Sequence, residues 1–304
     1  MKQNRHQNIM FEAALKPIDT DPVDLLFFRP VGYRCALFFH KLGLLPNTIT
    51  VVSILLGISS GFFLYFEDIW YNIIGILLLF CTHLLDCTDG QLARMIGRYS
   101  RLGRILDHLS GCAWSVSVYM ALCLRLMNSG WDFSVFFLAL ITGYFHFRQA
   151  SAIDYYRNFY YLFSRKELVC EFEYKTQLHL KYKRLSWKAD FYRKFFFSFY
   201  LQYMVYQERF TPDMQELRRL LKKRFGNDIP DWLRIQFEEK SLPLMYSGLL
   251  SFNIRIITLF IAVLFDVLWI YFLFELTILN AILFYLIYRH EKVCRYFIGK
   301  LNRI

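Results

Sequence analysis

Six predominantly apolar runs, at about residues 49–66, 69–88, 105–126, 132–149, 248–265 and 267–288, are each 18 to 22 residues long. A helix needs about 20 such residues to cross the ~30 Å hydrocarbon layer of a bilayer, and a spanning segment must satisfy its backbone polar groups internally. One such run fits a buried soluble helix, but six in one chain do not. The chain is 56% hydrophobic and 19% aromatic while 20% of its residues are charged, so apolar blocks alternate with charged ones. The expected fold is an all-α integral membrane protein with six transmembrane helices.

Lysine and arginine give the orientation. They collect before residue 49, in the 88–104 connection, in 150–240 and after 288. The alternate connections, around Glu67-Asp68, Asn128–Asp132 and Asp266, hold almost none, with Arg125 the nearest exception. The bias predicts a multi-pass protein with both termini cytosolic. The net charge of +11 then lies on one face, where it attracts anionic lipid headgroups and nucleotide or phosphate substrates. A nucleic-acid partner is not expected, because no nucleic-acid-binding module accompanies the charge. Cys35, Cys81, Cys87, Cys112, Cys123, Cys170 and Cys294 are scattered, with neither disulfide-framework nor zinc-motif spacing. The polar N-terminal stretch has no signal-peptide pattern, so the first span is expected to direct insertion.

Four segments follow. Residues 1–45 read as a cytosolic tail and an interfacial amphipathic segment, the latter over 24–45, where aromatics mix with Arg29, Arg34 and Lys41. Residues 46–149 hold spans one to four, 150–240 a cytosolic or interfacial helical insertion, and 241–304 spans five and six with a basic tail. Within the insertion, Phe191–Tyr206 is apolar at helical intervals but too punctuated to span, and Glu216–Arg224 reads as a charged helix with a solvated face. Arg255 and Glu275 lie 11 residues before and 9 after Asp266, hence at similar depth on a hairpin, and are expected to pair.

Between Asp86 and Asp107 the chain reads D-x2-D-G-x2-A-R-x8-G-x3-D, through Asp86, Asp89, Gly90, Ala93, Arg94, Gly103 and Asp107. Forty residues earlier, Pro46-Asn47-Thr48-Ile49-Thr50 opens the first span. This spacing resembles the signature of the CDP-alcohol phosphotransferases, integral-membrane enzymes that move a phosphoalcohol from a cytidine diphosphate carrier to an acceptor hydroxyl. The P-N-x-x-T entry resembles theirs as well. The family signature closes with a fourth aspartate four residues after the third, and here that position is Gly111.

Asp86 and Asp89, three apart, share a helix face and can hold a hard divalent cation. Asp107 adds a third carboxylate from the next helix. Three carboxylates around one cleft repel unless neutralised, which predicts Mg2+ or Mn2+. The resemblance implies a two-metal site polarising the carrier phosphoanhydride, with Gly90, Ala93, Arg94 and Gly103 around the CDP moiety. Arg98, Ser100, Arg101 and Arg104 continue the polar entrance, or serve as anchoring charges. In the family the fourth aspartate takes the acceptor proton and helps ligate the second metal. Candidates to replace it are His108, His83 and Ser115, and each also reads as a packed residue. His146, Arg148 and Arg157 can meet a phosphate-bearing acceptor or act as anchors.

The implied function is transfer of a substituted phosphate from a CDP-alcohol such as CDP-diacylglycerol to a polar alcohol, with release of CMP, in phospholipid synthesis. The alternative is a weakly active or inactive relative that binds nucleotide or lipid, or scaffolds other proteins. The resemblance also suggests a homodimer.

Overall fold

The computed structural model describes residues 21–97, 101–164, 175–188, 190–226, 229–240 and 248–303. Among these, every regular element is helical. The chain divides into two compact units. One takes Met1–Arg148 with Gly248–Asn280, and the other takes Gln149–Ser247 with Ala281–Ile304.

In the first unit a π-helical turn, Asp24–Phe28, leads into α1, Arg29–Lys41. The segment read as amphipathic is two-faced. Phe28, Arg29, Tyr33 and Ala36 are buried, whereas Leu25, Leu26, Phe27 and Phe38 are exposed. Helix α2, Pro46–Leu64, begins with proline at its first position, where the missing N–H costs nothing. Helix α3, Ile69–Met95, is capped by the Asp68 carboxylate, which accepts a 2.8 Å bond from the Trp70 N–H. Helices α4, Arg101–Asn128, and α5, Ser134–Ser164, follow. Helix α10, Phe252–Leu264, and α11, Leu268–Leu276, close the unit.

Helices α2, α3 and α4 pack through small residues. A Cβ on Gly57 would stand 2.9 Å from that of Trp114, and one on Gly61 only 2.6 Å from the Ser117 carbonyl oxygen. The approach is close enough for the Ser117 hydroxyl to donate to the Ile58 carbonyl at 2.8 Å. Between helices in lipid, where apolar burial gives little drive, close backbone approach and interhelical hydrogen bonds supply the contact energy. The contacts of α2 with α4 step forward together along both helices, so the two run parallel.

Among the described residues, four stretches are long and apolar enough to cross a membrane: Pro46–Leu64, Ile69–Met95, Leu109–Asn128 and Leu268–Leu301. The predicted 248–265 run appears as the shorter α10, and the 132–149 run lies on α5 outside those four. The last stretch is divided at Thr277 into α11 and α12, Ile278–Leu301. There the Thr277 hydroxyl donates to the Leu273 carbonyl at 2.6 Å, a back-bond of the kind that bends helices.

Buried polar groups tie the spans together. Arg125, the predicted exception to the charge bias, is buried and donates to the Phe66 carbonyl at 3.2 Å, the Asn72 amide oxygen at 3.0 Å and the Asp266 carboxylate at 2.7 Å. It thereby fixes two connections, including Asp266, whose φ of 54° is the left-handed conformation that aspartate tolerates better than most residues. Arg255 and Glu275 form the expected ion pair. Around it, Tyr271 donates to Glu275 at 2.8 Å, and His146 Nδ1 lies 3.0 Å from the Arg255 guanidinium and 2.9 Å from the Tyr119 hydroxyl.

In the second unit, α6, Lys175–Arg184, and α7, Phe191–Phe210, precede α8, Pro212–Phe225, and α9, Asp231–Lys240. Helix α8 buries Met214, Leu217, Arg218 and Leu221 and leaves its other charges outward, a solvated face as its sequence suggests. It ends at Gly226, whose φ of 62° provides the left-handed stop. The core of this unit gathers Tyr155, Tyr156, Leu217, Leu233, Phe237, Cys294, Phe297 and Leu301.

Candidate active site

Asp86 and Asp89 stand on the last turns of α3, and Asp89 is only 6% exposed. A buried carboxylate needs partners to remain charged. One comes from α2, where the Thr50 hydroxyl, one turn into the helix that Pro46 opens, donates to Asp89 Oδ2. The same hydroxyl lies 3.1 Å from the Pro46 carbonyl, which holds its rotamer. The P-N-x-x-T entry and the first aspartates, forty residues apart in sequence, therefore form one structure.

The next turn of α2 carries the link to α4. The Ser53 hydroxyl donates to the Thr82 carbonyl at 3.0 Å and meets the Ser110 hydroxyl at 3.4 Å. With α2 and α4 parallel, pairs Ser53–Ser110 and Gly57–Trp114 set the register. One turn earlier, that register brings backbone position 107 level with Thr50, the residue that holds Asp89. The carboxylate-bearing positions of α3 and α4 thus converge on the start of α2. The side chains of Arg101, Arg104, Asp107, His108 and Arg157, like Arg98 and Ser100 entirely, lie outside the described residues.

Small residues stand around the carboxylates. At Gly90 a Cβ would come 3.4 Å from Arg94 Nη1, so Arg94 folds back over this glycine and its guanidinium lies beside Asp89's turn. Ala93 and Gly103 are half-buried. At Gly111 a Cβ would meet no atom of the described residues within 4 Å. Carboxylate and hydroxyl oxygens of this kind suit hard divalent cations such as Mg2+ or Mn2+ and not soft ones.

Two of the three candidate bases are engaged elsewhere. His83 Nε2 lies 2.9 Å from Asp24 Oδ1, and its ring stacks on Phe252 at 4.5 Å and meets Phe28 edge-on. Burial pushes the Asp24 carboxyl up, but the His83 hydrogen bond, with further help from Asn253 and Arg29, outweighs this and holds it below the usual range. The Asn253 amide donates at 2.8 Å to both Asp21 and Asp24, a constellation of the N-terminal segment that sequence reasoning missed because its partners are over 200 residues apart. Ser115 is buried and donates to the Cys112 carbonyl of its own helix at 3.0 Å. His146, taken from the sequence as an anchor or acceptor contact, belongs instead to the buried Arg255–Glu275 network. Arg148 lies over the Tyr144 ring at 5.1 Å and donates to its hydroxyl at 3.2 Å.

Comparison with known proteins bears on the same residues. Residues 43–155 match the family model described as CDP-alcohol phosphatidyltransferase, a stretch that contains the whole constellation. An uncharacterized protein of Aquifex aeolicus (strain VF5) is 33% identical over 109 residues, which are 35% of this chain and 54% of that protein. An archaetidylinositol phosphate synthase of Pyrococcus horikoshii is 30% identical over 104 residues, 34% of this chain and 52% of its own length. A bifunctional IPC transferase and DIPP synthase of Aquifex aeolicus is 33% identical over 98 residues, 32% of this chain and 22% of that protein. The chain thus spans about half the length of the first two relatives. No solved structure matches. Among the described residues, the four long apolar helices mark an integral membrane protein.

Proposed function

We propose, from the match of residues 43–155 to the CDP-alcohol phosphatidyltransferase family model, that this chain transfers a substituted phosphate from a CDP-alcohol, such as CDP-diacylglycerol, to the hydroxyl of a polar alcohol, releasing CMP in phospholipid synthesis. The observation that carries this reading is the Thr50–Asp89 bond, which joins the two separated motifs at one buried carboxylate. Asp86, Asp89 and Asp107 are the proposed metal ligands and catalytic carboxylates. Mg2+ or Mn2+, when bound in a two-metal site, supplies charge neutralisation at the phosphoanhydride and at departing CMP. Gly90, Ala93 and Gly103 leave room for the nucleotide, and Arg94 balances its phosphate charge.

In the reaction the acceptor oxygen bonds to the phosphorus that carries the alcohol, and that phosphorus breaks its bond to the bridging oxygen, which leaves with CMP. The acceptor proton needs a base. Since Gly111 stands where the family has its fourth carboxylate, and His83 and Ser115 have other partners, the remaining candidates are His108 and a phosphate on the acceptor itself. Six spans, both termini in the cytosol, an interfacial 24–45 segment, a cytosolic 150–240 insertion, association with anionic lipid and a homodimer complete the proposed arrangement.

The test is CMP release by the purified protein with Mg2+ or Mn2+, CDP-diacylglycerol and a panel of polar alcohols and their phosphates, inositol phosphates included. Acceptor-dependent CMP is expected. Metal-dependent CDP binding without CMP, on any donor and acceptor of the panel, would instead support a binding-only relative. Gly111→Asp, whose Cβ has open space, is expected to raise the rate, by up to the ~10²–10⁴-fold that a general base contributes. Thr50→Val removes the hydroxyl that orients Asp89 while keeping its shape, and is expected to weaken Mn2+ affinity by about 10–100-fold, as loss of a ligand-orienting partner does. Manganese titration with the fold monitored by circular dichroism reads this directly. Unchanged affinity would remove Thr50 from the site.

A further inference from the structure

Helix α12 carries H-E-x-x-C at His290, Glu291 and Cys294, and all three side chains are buried. They offer one ligand atom each, a nitrogen, a carboxylate oxygen and a sulfur, within 4.8 Å of one another. We propose that these three residues form a structural zinc site in the second unit, separate from the oxygen-rich carboxylates of α3 and α4 and independent of the transferase reading.

Geometry supports this first. His290 Nδ1 and Cys294 Sγ are 3.4 Å apart, and with Zn–N of about 2.0 Å and Zn–S of about 2.3 Å that separation closes an angle of about 100–105° at the metal, near tetrahedral. Charge supports it next. A thiolate, a carboxylate and a neutral imidazole cancel the two positive charges of zinc, so the loaded centre is neutral and suited to burial. Binding releases the Cys294 proton to solvent. Glu291 also receives the Asp213 N–H at 2.7 Å and the Met214 N–H at 3.3 Å. Each carboxylate oxygen has two lone pairs, so these bonds orient the ligand and leave capacity for metal.

A second observation points to the same place. The Tyr156 hydroxyl is buried with no hydrogen-bond partner among the described residues. Its ring stacks on His290 at 4.4 Å. A closed zinc site takes four ligands, and the unbonded hydroxyl on the ring stacked against His290 is the group proposed to complete the shell. The metal would then tie α5, α8 and α12 together, because Tyr156, the first turn of α8 and the H-E-x-x-C face all meet there.

The experiment uses the full chain in detergent, exchanged against zinc and then washed by gel filtration, with bound metal counted by plasma mass spectrometry. About one zinc per chain is expected, falling severalfold in Cys294→Ser. Cobalt loading of the unaltered protein gives a readout that needs no variant, since a thiolate ligand produces an intense near-ultraviolet charge-transfer band. That band is expected in the native chain and absent in Cys294→Ser, while CDP-dependent behaviour at the aspartates stays as it was. A native chain without retained zinc, a cobalt spectrum without the thiolate band, or a Cys294→Ser chain that keeps both would each overturn the proposal.

Discussion

Asp89→Asn is expected to lower CMP release by about 10³-fold or more, since a catalytic metal supplies several kcal/mol of transition-state stabilisation. Asp89 is the carboxylate with the clearest structural commitment. It is buried, and Thr50 reaches it from another helix. Asparagine keeps the volume and can still accept the Thr50 hydrogen bond, so the fold is expected to survive while the negative charge that attracts the cation is gone. Metal-dependent CDP binding, followed by calorimetry alongside turnover, should fall with the rate. Retention of both would remove Asp89 from the site and, with it, the link between the two motifs.

Loss of one partner of the Arg255–Glu275 pair is expected to be the most destabilising single change in the first unit. Glu275 is 0% exposed, and Arg255, Tyr271 and His146 all direct polar atoms at it. Removal of one member of such a pair leaves the other charge buried without compensation, a cost of about 3–5 kcal/mol. Glu275→Leu should therefore lower the unfolding temperature in detergent markedly. The double variant Arg255→Leu, Glu275→Leu should recover much of the loss, because replacing both charges by apolar groups removes the penalty along with the attraction. A single variant as stable as the native chain would show that lipid or water, not the pair, carries the charge of Arg255.

The reading of local pattern went far with the first unit. Apolar run length located α2, α3 and α4, because a helix that meets lipid must be apolar over its whole length whatever its neighbours are. Similar offsets from Asp266 sufficed to pair Arg255 with Glu275, since an antiparallel hairpin turns sequence distance into depth. The D-x2-D spacing put two carboxylates on one face by helical period alone. Where the chain departs from simple length, in the short α10 and in the division of the last stretch at Thr277, the cause is a local hydrogen bond or a helix end that hydropathy does not register.

Which helices form and which carboxylates share a face could be read from the residues alone, because both follow from periodicity along one element. Which groups meet emerges from the packing of the helices: Thr50 with Asp89, Ser53 with Ser110, His83 with Asp24 and the buried meeting of Tyr156 with the H-E-x-x-C face. Those contacts join residues 39 to 134 positions apart. Nothing local encodes them, since they arise from helix register and the close backbone approach that small residues permit.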